Sequence, residues 1–93
     1  MQEVNNRVDA EQLLLDNGYE GVKYFTNFSY DSALIGVTSD ERAVYDYELM
    51  VEWLVYTEDF TEEEAREWID YNTIRALPYM GEDGPIVMYG LER

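Results

Sequence analysis

The sequence predicts a small α+β domain, in which a small antiparallel sheet of about three to four strands packs against about three helices. Three observations carry that expectation. Segments beginning at Asp46 and at Thr61 place apolar residues at helical spacing behind capping side chains. Short runs rich in β-branched and aromatic residues, at 22–25, 33–38, 43–45 and 86–89, are bounded by polar or Gly-containing turns. A length of 93 residues, 46% of them hydrophobic, suits one domain over residues 1–93 with a real but modest core.

The elements are expected in the order helix, three strands, two helices, strand. The first helix spans 8–15, with Asp9 as N-cap, Gln12 three residues on as in a capping box, and the Leu13-Leu14-Leu15 run as its apolar face. Asn17-Gly18 ends it, since either residue tolerates the left-handed conformation. Strands at 22–25, 33–38 and 43–45 follow, the last two joined by the hairpin-length link Ser39-Asp40-Glu41-Arg42. Asp46 caps the second helix, whose core stripe is Leu49, Met50, Trp53 and Leu54. Thr61-Glu62-Glu63-Glu64 has the form of a capping box, with Phe60 just before the cap. Its acids suit the positive end of the helix dipole. Ala65, Trp68, Ile69 and Asn72 mark the buried face of this third helix, which runs towards Leu77 and is stopped by Pro78. Residues 81–85 form a turn, and the strand at 86–89 joins the same sheet.

Charge is the strongest compositional signal: 21 acidic side chains stand against 6 basic ones, a net charge of −15. Such a surplus disfavours direct contact with nucleic-acid phosphates or anionic membranes, and it suits a basic partner. With no cysteine there is no disulfide or thiolate chemistry, and with no histidine there is no His-based acid/base pair or usual zinc site. Nucleotide-binding glycine motifs, metalloprotease and nucleophile-elbow patterns are absent. Paired carboxylates are the one enzymatic idea left, and a chain with 21 acids meets their spacing by accident. No calcium-loop pattern occurs, so no metal or other cofactor is expected. The polar start of the chain lacks a signal-peptide pattern and no stretch is long enough to span a membrane, so a cytoplasmic protein is expected.

The candidate site is the acidic run itself. Glu58, Asp59, Glu62, Glu63, Glu64, Glu67 and Asp70 fall within thirteen positions. On a helix, Glu63, Glu67 and Asp70 line one face, with neighbours about 5–6 Å apart, comparable to the phosphate repeat of a nucleic-acid strand. Arg66 relieves part of the repulsion through Glu62 and Asp70, four residues to either side. Glu48 and Glu52, four apart on the second helix, are further candidates. The plainer alternative is a solvated face that keeps a small protein soluble. Trp53 and Trp68 lie on the apolar stripes and are read as core, whereas Tyr56, Tyr71 and Tyr79 are left open between core and interface.

From Ser29 onward the sequence resembles a family of small acidic, mostly uncharacterised proteins of phages and mobile elements of Gram-positive bacteria. Residues 30–37 (YDSALIGV), 42–47 (RAVYDY), 68–79 (WIDYNTIRALPY) and 84–87 (GPIV) carry the resemblance, the third being the most specific. It implies an anti-defence context, including anti-CRISPR inhibitors that occupy the basic channel of a Cas9-type nuclease holding its guide RNA. The expected function is therefore a non-enzymatic inhibitor that mimics nucleic acid. The alternative is a structural or regulatory adaptor of a phage or conjugative element, possibly a homodimer, that binds through its apolar and tyrosine surface.

Overall fold

The computed structural model describes residues 9–92. The α+β class is observed. Its elements are α1 (Ala10–Asp16), β1 (Leu34–Val37), β2 (Ala43–Asp46), α2 (Tyr47–Glu58), α3 (Glu62–Trp68) and β3 (Ile86–Met88). A six-residue π-helical stretch, Ile69–Ile74, continues α3, and a 3-10 turn, Leu77–Met80, follows it.

Asp9 caps α1 by accepting the N–H groups of Glu11 and Gln12. The Gln12 amide donates to Asp16 at 2.8 Å instead of closing a capping box. Position 8, where the helix was expected to start, lies outside the described residues. Of the three leucines, Leu14 is buried while Leu13 and Leu15 remain exposed, because two turns of helix present one narrow face to the core. Gly18, at φ 85°, makes the left-handed stop.

Residues 22–25 were expected as a strand and are not one. Both ends of the segment are buried, at Val22 and Phe25, so its apolar positions recur every three residues instead of alternating. A side chain holds it in place of a ladder: the Phe25 N–H donates to the Tyr45 hydroxyl at 3.1 Å.

The sheet has three strands among the described residues, in the order β1-β2-β3. β1 pairs antiparallel with β2 across the short 38–42 loop, as expected. β3, however, runs parallel to β2, with Tyr45 opposite Val87, so the sheet is mixed and not purely antiparallel. The connection allows it: parallel neighbours need a crossover of a dozen or more residues, which the helical segment 47–85 supplies and a tight hairpin cannot.

Asp46 ends β2 and caps α2, accepting the Leu49 N–H at 3.0 Å. The buried stripe of α2 is Tyr47, Met50, Val51 and Leu54, with Leu49 and Trp53 half-buried on its flanks. The capping box of α3 is complete, since Thr61 Oγ1 accepts the Glu64 N–H and Glu64 Oε1 accepts the Thr61 N–H. Beyond Trp68 the expected face shifts. Thr73 is buried and Asn72 is exposed. A π-turn takes up more residues per turn than an α-turn, so the position facing the core moves one residue on. Pro78 does not end the helical path but stands second in the 3-10 turn, at a first-turn position where its missing N–H costs nothing.

A loop of aromatic residues closes the core between α2 and α3. Phe28 stands 5.3 Å from Trp68, 5.9 Å from Trp53 and 6.0 Å from Phe60, ring centre to ring centre. Tyr30 is fully buried, and its hydroxyl meets Thr73 Oγ1 at 2.6 Å. Both tryptophans thus pack against the same phenylalanine, and Trp53 also meets the buried Tyr30 ring directly at 5.7 Å.

Candidate interaction surface

α3 begins behind its capping box, and successive residues turn by about 100°. Ala65 and Ile69 face the core. Glu63 and Glu67 then lie about 160° and 200° from Ala65, on the outermost line of the helix. Glu62 and Arg66 lie between these two faces and border α2. All of Glu48, Glu52, Glu58, Asp59, Glu62, Glu63, Glu67 and Asp70 are exposed.

Their environments divide them. Arg66 reaches across to α2 and grips Glu48 with two parallel bonds, Nη1 to Oε2 at 3.0 Å and Nη2 to Oε1 at 2.8 Å. It also stands 3.8 Å from Glu62 and 5.7 Å above the Tyr47 ring. These hydrogen bonds hold the Glu48 carboxyl below its usual range and push the Arg66 guanidinium further up. Asp70, expected to pair with Arg66, instead accepts the Tyr47 hydroxyl at 3.1 Å. Burial raises the Tyr47 phenol, and the bond to Asp70 adds to that rise.

Glu48, Glu62 and Asp70 therefore take part in the α2–α3 seam. Glu52, Glu58, Asp59, Glu63 and Glu67 have no hydrogen-bonding or ionic side-chain partner among the described residues. Glu58 and Asp59 sit at the C-terminal, negative end of α2, where a carboxylate is unfavourable. Asp59 takes the left-handed conformation, at φ 62°, to turn the chain into α3.

Sequence reasoning missed the Arg66–Glu48 pair and the role of Tyr47. No helical spacing rule links positions 48 and 66, which meet only because α2 packs on α3. Tyr47 could have been found, as it lies three and four residues before the core positions Met50 and Val51.

Several apolar side chains are also exposed. Tyr71 is 67% exposed, Tyr56 85%, Tyr79 90% and Leu91 88%. No group of three or more acidic side chains converges to hold a metal ion among the described residues. No helix among them is long and apolar enough to cross a membrane. The fold and surface define a small α+β domain with an acidic helical face. No family model matches the chain, and no curated protein or solved structure is significantly similar to it.

Proposed function

We propose that this chain is a stoichiometric, non-catalytic inhibitor encoded by a phage or mobile element. It acts in the cytoplasm of the host bacterium, occupying a basic nucleic-acid channel of a defence nuclease; a Cas9-type enzyme with its guide RNA is the favoured target. The observation that carries this reading is the outer line of α3, where Glu63 and Glu67 stand exposed with no cation to neutralise them among the described residues. Such nucleases line their channels with Arg and Lys side chains that hold the guide–target duplex by its backbone. A rigid row of carboxylates competes for those groups. The resemblance of residues 68–79 to phage-borne acidic proteins supports the same reading.

The contact residues are Glu52, Glu58, Asp59, Glu63 and Glu67, since Glu48, Glu62 and Asp70 are engaged within the fold. The test is inhibition of DNA cleavage by the purified nuclease at two salt concentrations. Wild type inhibits at near-equimolar ratio and more weakly at higher salt. Glu63→Lys combined with Glu67→Lys weakens inhibition by about tenfold or more, with an unchanged melting temperature. Asp70 is left intact, because its reversal would also break the Tyr47 bond. Undiminished inhibition by the double variant refutes the assignment. A second reading, an adaptor that binds through apolar surface, draws on the exposure of Tyr56, Tyr79 and Leu91. It predicts an affinity that hardly changes with salt.

A further inference from the structure

An open depression of about 380 Å³ lies where α3 passes into the π-helical stretch, lined by Phe60, Glu64, Glu67, Trp68, Tyr71 and Asn72. Three aromatic rings and two carboxylates line it, with no cation among the lining residues, although Arg75 lies by the Tyr71 ring. Two of these groups are already positioned. Glu64 is held by the capping box, and Asn72 is held by donating its amide to the Trp68 carbonyl at 3.1 Å. Glu67 has no partner among the described residues, and Tyr71 is largely exposed.

The molecule shows twice what such a surface attracts. The Arg75 guanidinium lies 5.9 Å from the Tyr71 ring centre. Arg66 combines two bonds to Glu48 with a position over the Tyr47 ring. At Tyr47 a tyrosine face beside a carboxylate is thus already a guanidinium seat within this fold, and at Tyr71 the ring itself already draws one.

We propose that the depression is the anchor subsite for a single arginine side chain of a basic partner protein. The guanidinium lies against Trp68 and Tyr71 and donates to Glu67. This rests on the inhibitor reading above and specifies its partner chemistry. Arginine is preferred to lysine because only the planar guanidinium stacks on a ring while its edge donates two parallel N–H groups to a carboxylate. The charge of −15 draws basic partners in general, whereas the aromatic lining selects among cations.

The test uses the full chain, labelled with nitrogen-15, titrated at low ionic strength with acetyl-Gly-Arg-Gly-amide and with acetyl-Gly-Lys-Gly-amide. The arginine peptide should shift the Trp68 indole and Tyr71 amide signals more than the Trp53 indole, and bind about three- to tenfold more tightly than the lysine peptide. Tyr71→Ala and Glu67→Gln should each weaken that binding about threefold or more, with Glu20→Gln, exposed and outside the proposed contact surface, as a neutral control and the melting temperature confirming the fold. Equal affinity for the two peptides, or shifts as large around Glu52 and Glu58 as at Trp68, overturns the subsite. Those results leave the inhibitor reading standing, because it is decided separately by nuclease inhibition and its salt dependence.

Discussion

Replacing Tyr45 with phenylalanine tests the way the sheet holds the extended segment beneath it. Tyr45 is 0% exposed, and its ring packs 4.6 Å from that of Phe25. Its hydroxyl is the acceptor for the Phe25 N–H, which takes part in no strand ladder. Tyr45→Phe keeps the ring and removes the acceptor, leaving a buried donor unpaired at a cost of about 1–3 kcal/mol. A domain of this size has a total stability of about 5–14 kcal/mol, so the loss is readily measured by urea denaturation. Burial also pushes the Tyr45 phenol up from its ordinary 10.0 to about 12, with the Phe25 N–H pulling the other way. A raised folded-state value means that the folded protein holds this proton more tightly than the unfolded chain. The resulting stability is complete below pH 10 and is lost as pH rises to about 12. Two pH units correspond to about 2.7 kcal/mol. The phenylalanine variant has no such proton to lose. Its deficit, full at pH 8, therefore shrinks as pH passes 10, by about 2 kcal/mol on reaching pH 12. Taking the difference between the proteins cancels the other tyrosines, lysine and arginine. A deficit below about 0.5 kcal/mol at pH 8 refutes the buried hydrogen bond, since truncating one partner of such a pair costs more than that. A deficit that stays constant from pH 8 to 11.5 refutes the link to Tyr45 ionisation.

Two further substitutions probe the links between the helices. Asp59→Gly should raise stability by about 1 kcal/mol, because glycine adopts the left-handed conformation freely and the change also removes a carboxylate from the negative end of α2; an unchanged or lower urea midpoint contradicts this. Arg66→Gln should cost no more than about 1 kcal/mol at pH 7, since its carboxylate partners Glu48 and Glu62 are largely exposed. The Glu48 carboxyl is lowered in the fold, so its share is present above the ordinary carboxylate range and disappears as pH falls through the folded value. The gap between variant and wild type should therefore be smaller at pH 3 than at pH 7.

Where structure depends on neighbours along the chain, the sequence was legible. Asp9, Asp46 and Thr61 act as caps because a side-chain oxygen and the first free N–H groups lie within three residues of each other. The hairpin of β1 and β2 was equally local. Apart from Gln12, which bonds to Asp16 instead of closing a capping box, the main failures involve distant partners. Residues 22–25 read as a strand from composition, yet their N–H at Phe25 is satisfied by a hydroxyl twenty residues away. The parallel direction of β3 depends on the long helical connection over residues 47–85. The π-stretch leaves no mark in the apolar pattern before the shift from Asn72 to Thr73 is seen. In the candidate site, exposure of the eight acids followed from their type and spacing. Their division into seam and free surface did not, since it depends on Arg66 reaching Glu48 and Tyr47 reaching Asp70.

That division bears on whether the acidic surface does more than keep the protein soluble. Solubility depends on net charge and is indifferent to where the carboxylates stand. The four described cations are not spread evenly over them. Lys23 pairs with Asp83 at 2.8 Å, far in sequence from the acidic run. Arg42 donates to the Gly84 carbonyl at 2.9 Å, and Arg75 lies by Tyr71. Arg66 alone serves the acidic run, and it serves the side that faces α2. Glu63 and Glu67, a turn apart on the outside, therefore repel each other by a few tenths of a kcal/mol with nothing among the described residues to offset it. A fold under pressure only for stability would place a lysine at one of those two positions, giving a favourable pair at the same spacing and leaving the chain strongly acidic. Retaining both carboxylates on the outermost line of α3, beside an aromatic depression that suits a guanidinium, is the arrangement expected if the compensating cation comes from another molecule.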